Sequence, residues 1–126
     1  MEHKEHKIMK TKTIKLKNYL KQINSNYENV RSTGEQKDFY TVIQPFVDEV
    51  YEFTDEWVEY AKNWIHKYKP KNLVVQQVES AFENIREICA QSFFAKTSYR
   101  RFKHTFHSIN YTLEKLLTEI SKKEAD

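Results

Sequence analysis

One glycine and two prolines in 126 residues leave this chain few ways to turn. Tight β-turns need positive backbone φ, which glycine supplies at the lowest steric cost. A sheet protein of this length needs several such turns, and Gly34 alone cannot make them. Long helices joined by few loops are the remaining solution. The length suits one domain with a single core. Residues 1–126 are therefore read as one helical domain, with 1–7 expected to be disordered.

Apolar residues spaced alternately by three and four mark one face of a helix. Four such seams run along the chain. Met9, Leu16, Leu20, Ile23, Tyr27 and Val30 make the first, with Thr13 filling a gap. Phe39, Ile43, Phe46, Val50, Phe53, Trp57, Tyr60 and Trp64 make the second. Val75, Val78, Phe82, Ile85, Cys89 and Ser92 make the third. Tyr99, Phe102, Phe106, Ile109, Leu113, Leu116 and Ile120 make the fourth. The breaks fall at Arg31–Lys37, at Lys69–Asn72 and at Ala95–Ser98. Asp38 is an expected N-cap, and Thr97 or Ser98 another, because their side-chain oxygens can accept from free first-turn N–H groups. Pro70 disfavours helical geometry at Lys69 and ends the second helix.

Pro45 removes one backbone donor and crowds the carbonyl of Thr41. The apolar phase nevertheless runs unchanged from Phe39 to Val50. The expectation is a single second helix, kinked at Pro45, of about 30 residues or roughly 45 Å. Short links between long helices make neighbours antiparallel. The fold class is all-α, a four-helix up-and-down antiparallel bundle.

The chain resembles the YppE-like family of small uncharacterised proteins from Bacillus, Staphylococcus and relatives. The resemblance rests on Asp38-Phe39-Tyr40, Ile43-Gln44-Pro45, Trp57 and Lys69-Pro70. It continues through Gln91-Ser92-Phe93, Arg101-Phe102-Lys103 and Tyr111-Thr112-Leu113, over roughly residues 38–121. The first helix matches only in character. The resemblance implies the same bundle and carries over no activity and no catalytic residue.

The chemistry of most enzyme classes finds no foothold. A single glycine rules out a phosphate loop, a dinucleotide fingerprint and a nucleophile elbow. No Glu-x-x-His, the pair that di-iron bundles use, occurs in the sequence. His3/His6 and His104/His107 have metal-compatible spacing, but one pair lies near the terminus and the other off the seam without a neighbouring acid. Solvated or structural histidine is the reading for both. Cys89 lies on a seam and is read as a small core hydrophobe. Trp57 and Trp64 are read as core rather than as a cofactor box. No cofactor, no metal and no catalytic residue is expected.

Membrane and secretory signals are also missing from the sequence. No apolar run approaches the roughly 20 residues of a transmembrane helix. Met1–Lys7 has no apolar leader stretch, and one cysteine fits a reducing compartment, so a cytoplasmic protein is expected.

Charge is segregated although the net value is only +3. Seven acids and no Lys or Arg lie in residues 38–59, and the six from Asp48 to Glu59 fall opposite the seam, as a solvated face or else a surface for a divalent cation or a basic partner. Lysines near residues 4–12, 67–71 and 122–123 should meet at one basic pole. Two surface features remain as candidate sites. Arg100, Arg101, Lys103, His104 and His107 gather at the start of the fourth helix, where cations oppose the helix macrodipole. They are a candidate patch for an anion, nucleic acid or an acidic partner, or else ion-pair partners of acids on the neighbouring helices, Asp38 and Asp48 at the start of the second among them. Tyr51, Val58 and Ile65 repeat every seven residues beside the main seam. With Val47, Ala61 and Tyr68 they widen the apolar arc, either to be covered by a neighbouring helix or to form a partner or dimer interface. The leading expectation is a nonenzymatic protein-interaction module using that stripe, possible as a homodimer. The alternative is anion or nucleic-acid binding through the basic patch.

Overall fold

The apolar seams produce four helices in a computed structural model that describes residues 2–126, with side chains from Lys4 onward. Helix α1 spans Glu2–Thr33, α2 Gln44–Tyr68, α3 Val75–Gln91 and α4 Tyr99–Ala125. Each helix packs against its neighbour in sequence, and α4 closes the ring against α1. The result is an up-and-down antiparallel four-helix bundle. One pole carries the 34–38 and 92–98 connections. The opposite pole carries the start of α1, the α2–α3 connection and the end of α4.

The first seam is buried throughout, from Met9 to Val30. Thr13 completes it through hydrogen bonds. Its hydroxyl donates to the Met9 carbonyl at 2.8 Å and accepts the Trp57 indole N–H at 3.1 Å. A buried donor left unpaired would cost about 1–3 kcal/mol, so this threonine belongs to the core as firmly as a leucine. The disorder expected at the start of the chain does not describe residues 4–7. There α1 is already formed, because Glu5 pairs with Lys67 at 2.8 Å and the buried His6 accepts the Trp64 indole N–H at 3.0 Å. Met1 lies outside the described residues.

Pro45 imposes its distortion upstream of α2. A π-helical turn covers Phe39–Ile43, and Pro45 then stands in the first turn of α2. Ile43 N–H reaches back five residues to the Asp38 carbonyl at 3.1 Å. The wider turn gives the proline ring room that a continuous α-helix lacks. Asp38 caps the turn as expected, accepting from Thr41 N–H at 2.8 Å and from the Thr41 hydroxyl at 2.9 Å. Those hydrogen bonds, the backbone one first, hold its carboxyl below the ordinary aspartate range.

The other ends follow local chemistry. Gly34 leaves α1 with φ 70° while its N–H bonds the Val30 carbonyl. Lys69, ahead of Pro70, adopts left-handed geometry with φ 47°. Gln77 caps α3 by accepting the Val74 N–H at 3.0 Å. Ser98 caps α4 by accepting the Arg101 N–H at 3.3 Å. The α3–α4 connection folds back over the bundle end, where the Tyr27 hydroxyl donates to the Thr97 carbonyl at 2.5 Å. Phe93 is buried there, with its ring 5.8 Å from that of Phe46.

Candidate functional site

The heptad stripe on α2 is core. Val58 and Ile65 are each only 7% exposed, and Ala61 is fully buried. Tyr51 turns to α3, where its hydroxyl donates to the Arg86 carbonyl at 3.1 Å and the Arg86 guanidinium lies 4.0 Å from the ring centre. Neighbouring helices thus cover the broad arc. Tyr51, Val58 and Ile65 are corrected from a candidate interface to packing residues. The balancing exposure appears at three seam positions, Phe39 and Tyr99 at element starts and Tyr60 within α2, which are exposed although their spacing places them inside.

The five residues of the basic patch separate onto different surfaces. Lys103 turns to α1, bonding Asn24 Oδ1 at 2.6 Å and Glu28 at 3.1 Å. It makes an inter-helix ion pair with an acid of a neighbouring helix, Glu28 of α1, while Asp38 and Asp48 are not its partners. His107 is exposed, with its ring against Phe106. Arg100, Arg101 and His104 stay together. With Glu87, Gln91, Thr97, Ser98 and Thr105 they line an open groove of about 630 Å³ between the end of α3 and the start of α4.

The arginines differ in how they are satisfied. Arg86 pairs with Asp55 at 2.9 Å and covers Tyr51, while the Arg31 guanidinium lies 4.7 Å from the Tyr99 ring centre. Arg100 and Arg101 have neither a carboxylate within 4.0 Å nor an aromatic face among the described residues. They stand at the N-terminal end of a helix of 27 residues, whose first-turn N–H groups favour negative charge. Two guanidinium forks, an imidazole and the Ser98 hydroxyl therefore line one polar groove, with the Glu87 carboxylate also on its wall and the Thr97 hydroxyl already donating to the Gln91 carbonyl at 2.9 Å. That set can hydrogen-bond a phosphate or carboxylate from several directions.

Several titratable groups elsewhere are engaged. Burial pushes the Cys89 thiol up to about 12, so it is not a nucleophile near neutral pH. Burial and the hydrogen bond to Glu49 push the Tyr19 phenol up to about 12. On the acidic face of α2, Glu56 pairs with Lys12 and Asp55 with Arg86. Among the lysines of the opposite pole, Lys10 pairs with Glu124, and Lys122 with the buried Glu119. His6 has its Nδ1 committed to Trp64. No group of three His, Cys, Asp or Glu among the described residues is placed to hold a metal ion. No described helix is long and apolar enough to cross a membrane.

The fold and this groove define a small all-α bundle with a polar, arginine-lined cleft at one pole. Residues 13–120 match the family described as a bacterial domain of unknown function (DUF1798), and the chain belongs to that family. It is 29% identical over 99 residues to the uncharacterized protein YppE of Bacillus subtilis, covering 79% of this chain and 80% of that protein. The crystal structure of YppE superposes with a TM-score of 0.90 at 25% identity, covering 95% of this chain and 98% of the other. A protein of unknown function from Listeria innocua has the same fold, with a TM-score of 0.92 at 24% identity over 98% of this chain and 99% of the other. The family match takes in most of α1, which sequence resemblance alone left out.

Proposed function

We propose that this chain is a nonenzymatic binding module of the cytoplasm that takes up an anionic group of the phosphate class in the α3–α4 groove. The observation that carries this reading is the pair Arg100 and Arg101. They are the two of four arginines without a carboxylate or ring partner among the described residues, and both face the same groove as His104. Cations in the first turn of a helix oppose its dipole unless an anion joins them, so a bound anion would relieve the cost of placing them there. The protein-interaction reading loses the stripe that motivated it, because Val58 and Ile65 are buried. An acidic protein segment or a nucleic-acid backbone would present the same anionic chemistry to the groove.

Calorimetric titration with inorganic pyrophosphate tests the reading. Binding by the wild type should weaken as salt rises, as expected for charge-driven association. Arg100→Gln with Arg101→Gln should lower affinity at least about tenfold, given the strength of charge-assisted hydrogen bonds. Pyrophosphate binding that survives the double substitution would remove the groove from the account. Parallel titrations with a single-stranded oligonucleotide and an acidic peptide identify which anion is preferred.

A further inference from the structure

The pole that holds the groove also exposes apolar side chains on both of its connections. Tyr40 is 76% exposed, Phe39 52% and Phe94 44%, and Val42 is exposed on the same π turn as the first two. Exposed aromatics of this size have a large hydrophobic driving force to leave water. The π turn is what presents them. Its capping by Asp38 and the proline that follows hold Phe39 and Tyr40 ahead of α2, beyond the reach of the core.

Cations outnumber anions around these side chains, although the Asp38 and Glu87 carboxylates both stand at this pole without an ion-pair partner among the described residues. Glu35 pairs with Lys37 at 3.2 Å, while the Asp38 carboxylate keeps its charge as it accepts from Thr41. Arg31, Lys96, Arg100 and Arg101 have no carboxylate partner among the described residues. The pole therefore combines protruding aromatics with an excess of cations over anions. A bilayer surface carrying anionic lipids offers the matching arrangement, with an interface that accepts aromatic rings beside phosphates that accept cations.

We propose that this pole docks onto an anionic membrane surface, with Phe39, Tyr40, Val42 and Phe94 entering the interfacial layer and Arg100 and Arg101 meeting lipid phosphates. The inference deepens the phosphate-class reading of the groove, on which the arginine part rests. The aromatic part stands on the exposure of the two connections.

Co-sedimentation with vesicles of phosphatidylglycerol and phosphatidylcholine, and with vesicles of phosphatidylcholine alone, tests it. The wild type should pellet with the anionic vesicles only. Tyr40→Ser with Phe94→Ser should reduce vesicle binding at least about tenfold while leaving pyrophosphate binding and the helical circular-dichroism signal unchanged. Both positions are exposed, so the variant keeps its core. A wild type that binds pyrophosphate but ignores anionic vesicles overturns the membrane inference and leaves the groove reading intact. Vesicle binding that needs Tyr40 and Phe94 without any pyrophosphate affinity supports the membrane inference and removes the groove reading. Vesicle binding unchanged by the aromatic double substitution overturns the inference. So does full displacement from vesicles by a single-stranded oligonucleotide that binds through the same aromatics, which would assign the pole to nucleic acid.

Discussion

At the scale of single residues, the core is closed by hydrogen bonds as well as by packing. Trp57 is fully buried, and Thr13 supplies the acceptor for its indole N–H. Thr13→Val keeps the volume but orphans that donor, and should lower stability by roughly 1–3 kcal/mol in urea unfolding. Val58→Asp places an unpaired carboxylate in the core and should lower stability by about 3 kcal/mol or more, unfolding a marginal bundle outright. If Val58→Asp instead leaves the urea midpoint unchanged, the stripe is surface and its burial here is wrong. Cys89, with its thiol pushed up to about 12 inside α3, should resist iodoacetamide near pH 8 and react fully after denaturation.

At the scale of elements, helix ends were readable because capping chemistry is local. Asp38, Ser98 and Pro70 act within one turn of where they stand, and the structure uses all three as their chemistry suggests. Gly34→Ala should cost about 1 kcal/mol, because a Cβ meets no neighbour there and only the left-handed backbone resists it. Asp38 gives a pH signature. Its folded carboxyl lies below the unfolded value, so its contribution is complete above the unfolded pKa and is lost as pH falls through the folded one. The stability advantage of wild type over Asp38→Ala should therefore shrink as pH drops below about 4. The response to Pro45 was less legible. Spacing shows that apolar residues recur on both sides of the proline, but it does not distinguish a kinked α-helix from a π turn, whose wider i→i+5 bonds rotate Phe39 away from the face that α2 buries. Which faces are covered was harder still. Periodicity locates an apolar arc without saying which neighbour lies over it, so Val58 and Ile65 looked like surplus until α2 and α3 were placed together. Phe39 and Tyr99 keep the correct period yet lie where the core ends. The basic patch divided for the same reason, since Lys103 faces Glu28 across a helix pair that sequence does not specify.

At the scale of the whole molecule, the bundle separates its roles by position. The middle layers hold packing residues, including every member of the supposed interface stripe. The pole of the 34–38 and 92–98 connections carries the exposed Phe39, Tyr40 and Phe94 and the two arginines without a carboxylate or ring partner among the described residues. Function assigned to that pole leaves the core free to be optimised for stability, and substitutions at Arg100, Arg101 or Tyr40 should leave the unfolding transition cooperative and nearly unshifted. The central claim is that the α3–α4 groove is the anion site, and amide chemical-shift mapping of the isotopically labelled chain with added pyrophosphate tests it most directly. The account predicts saturable shifts clustered on Gln91, Thr97, Ser98, Arg100, Arg101 and His104. Shifts centred on the lysines of the opposite pole, or none at concentrations where the other lysine-rich surfaces already respond, would contradict it.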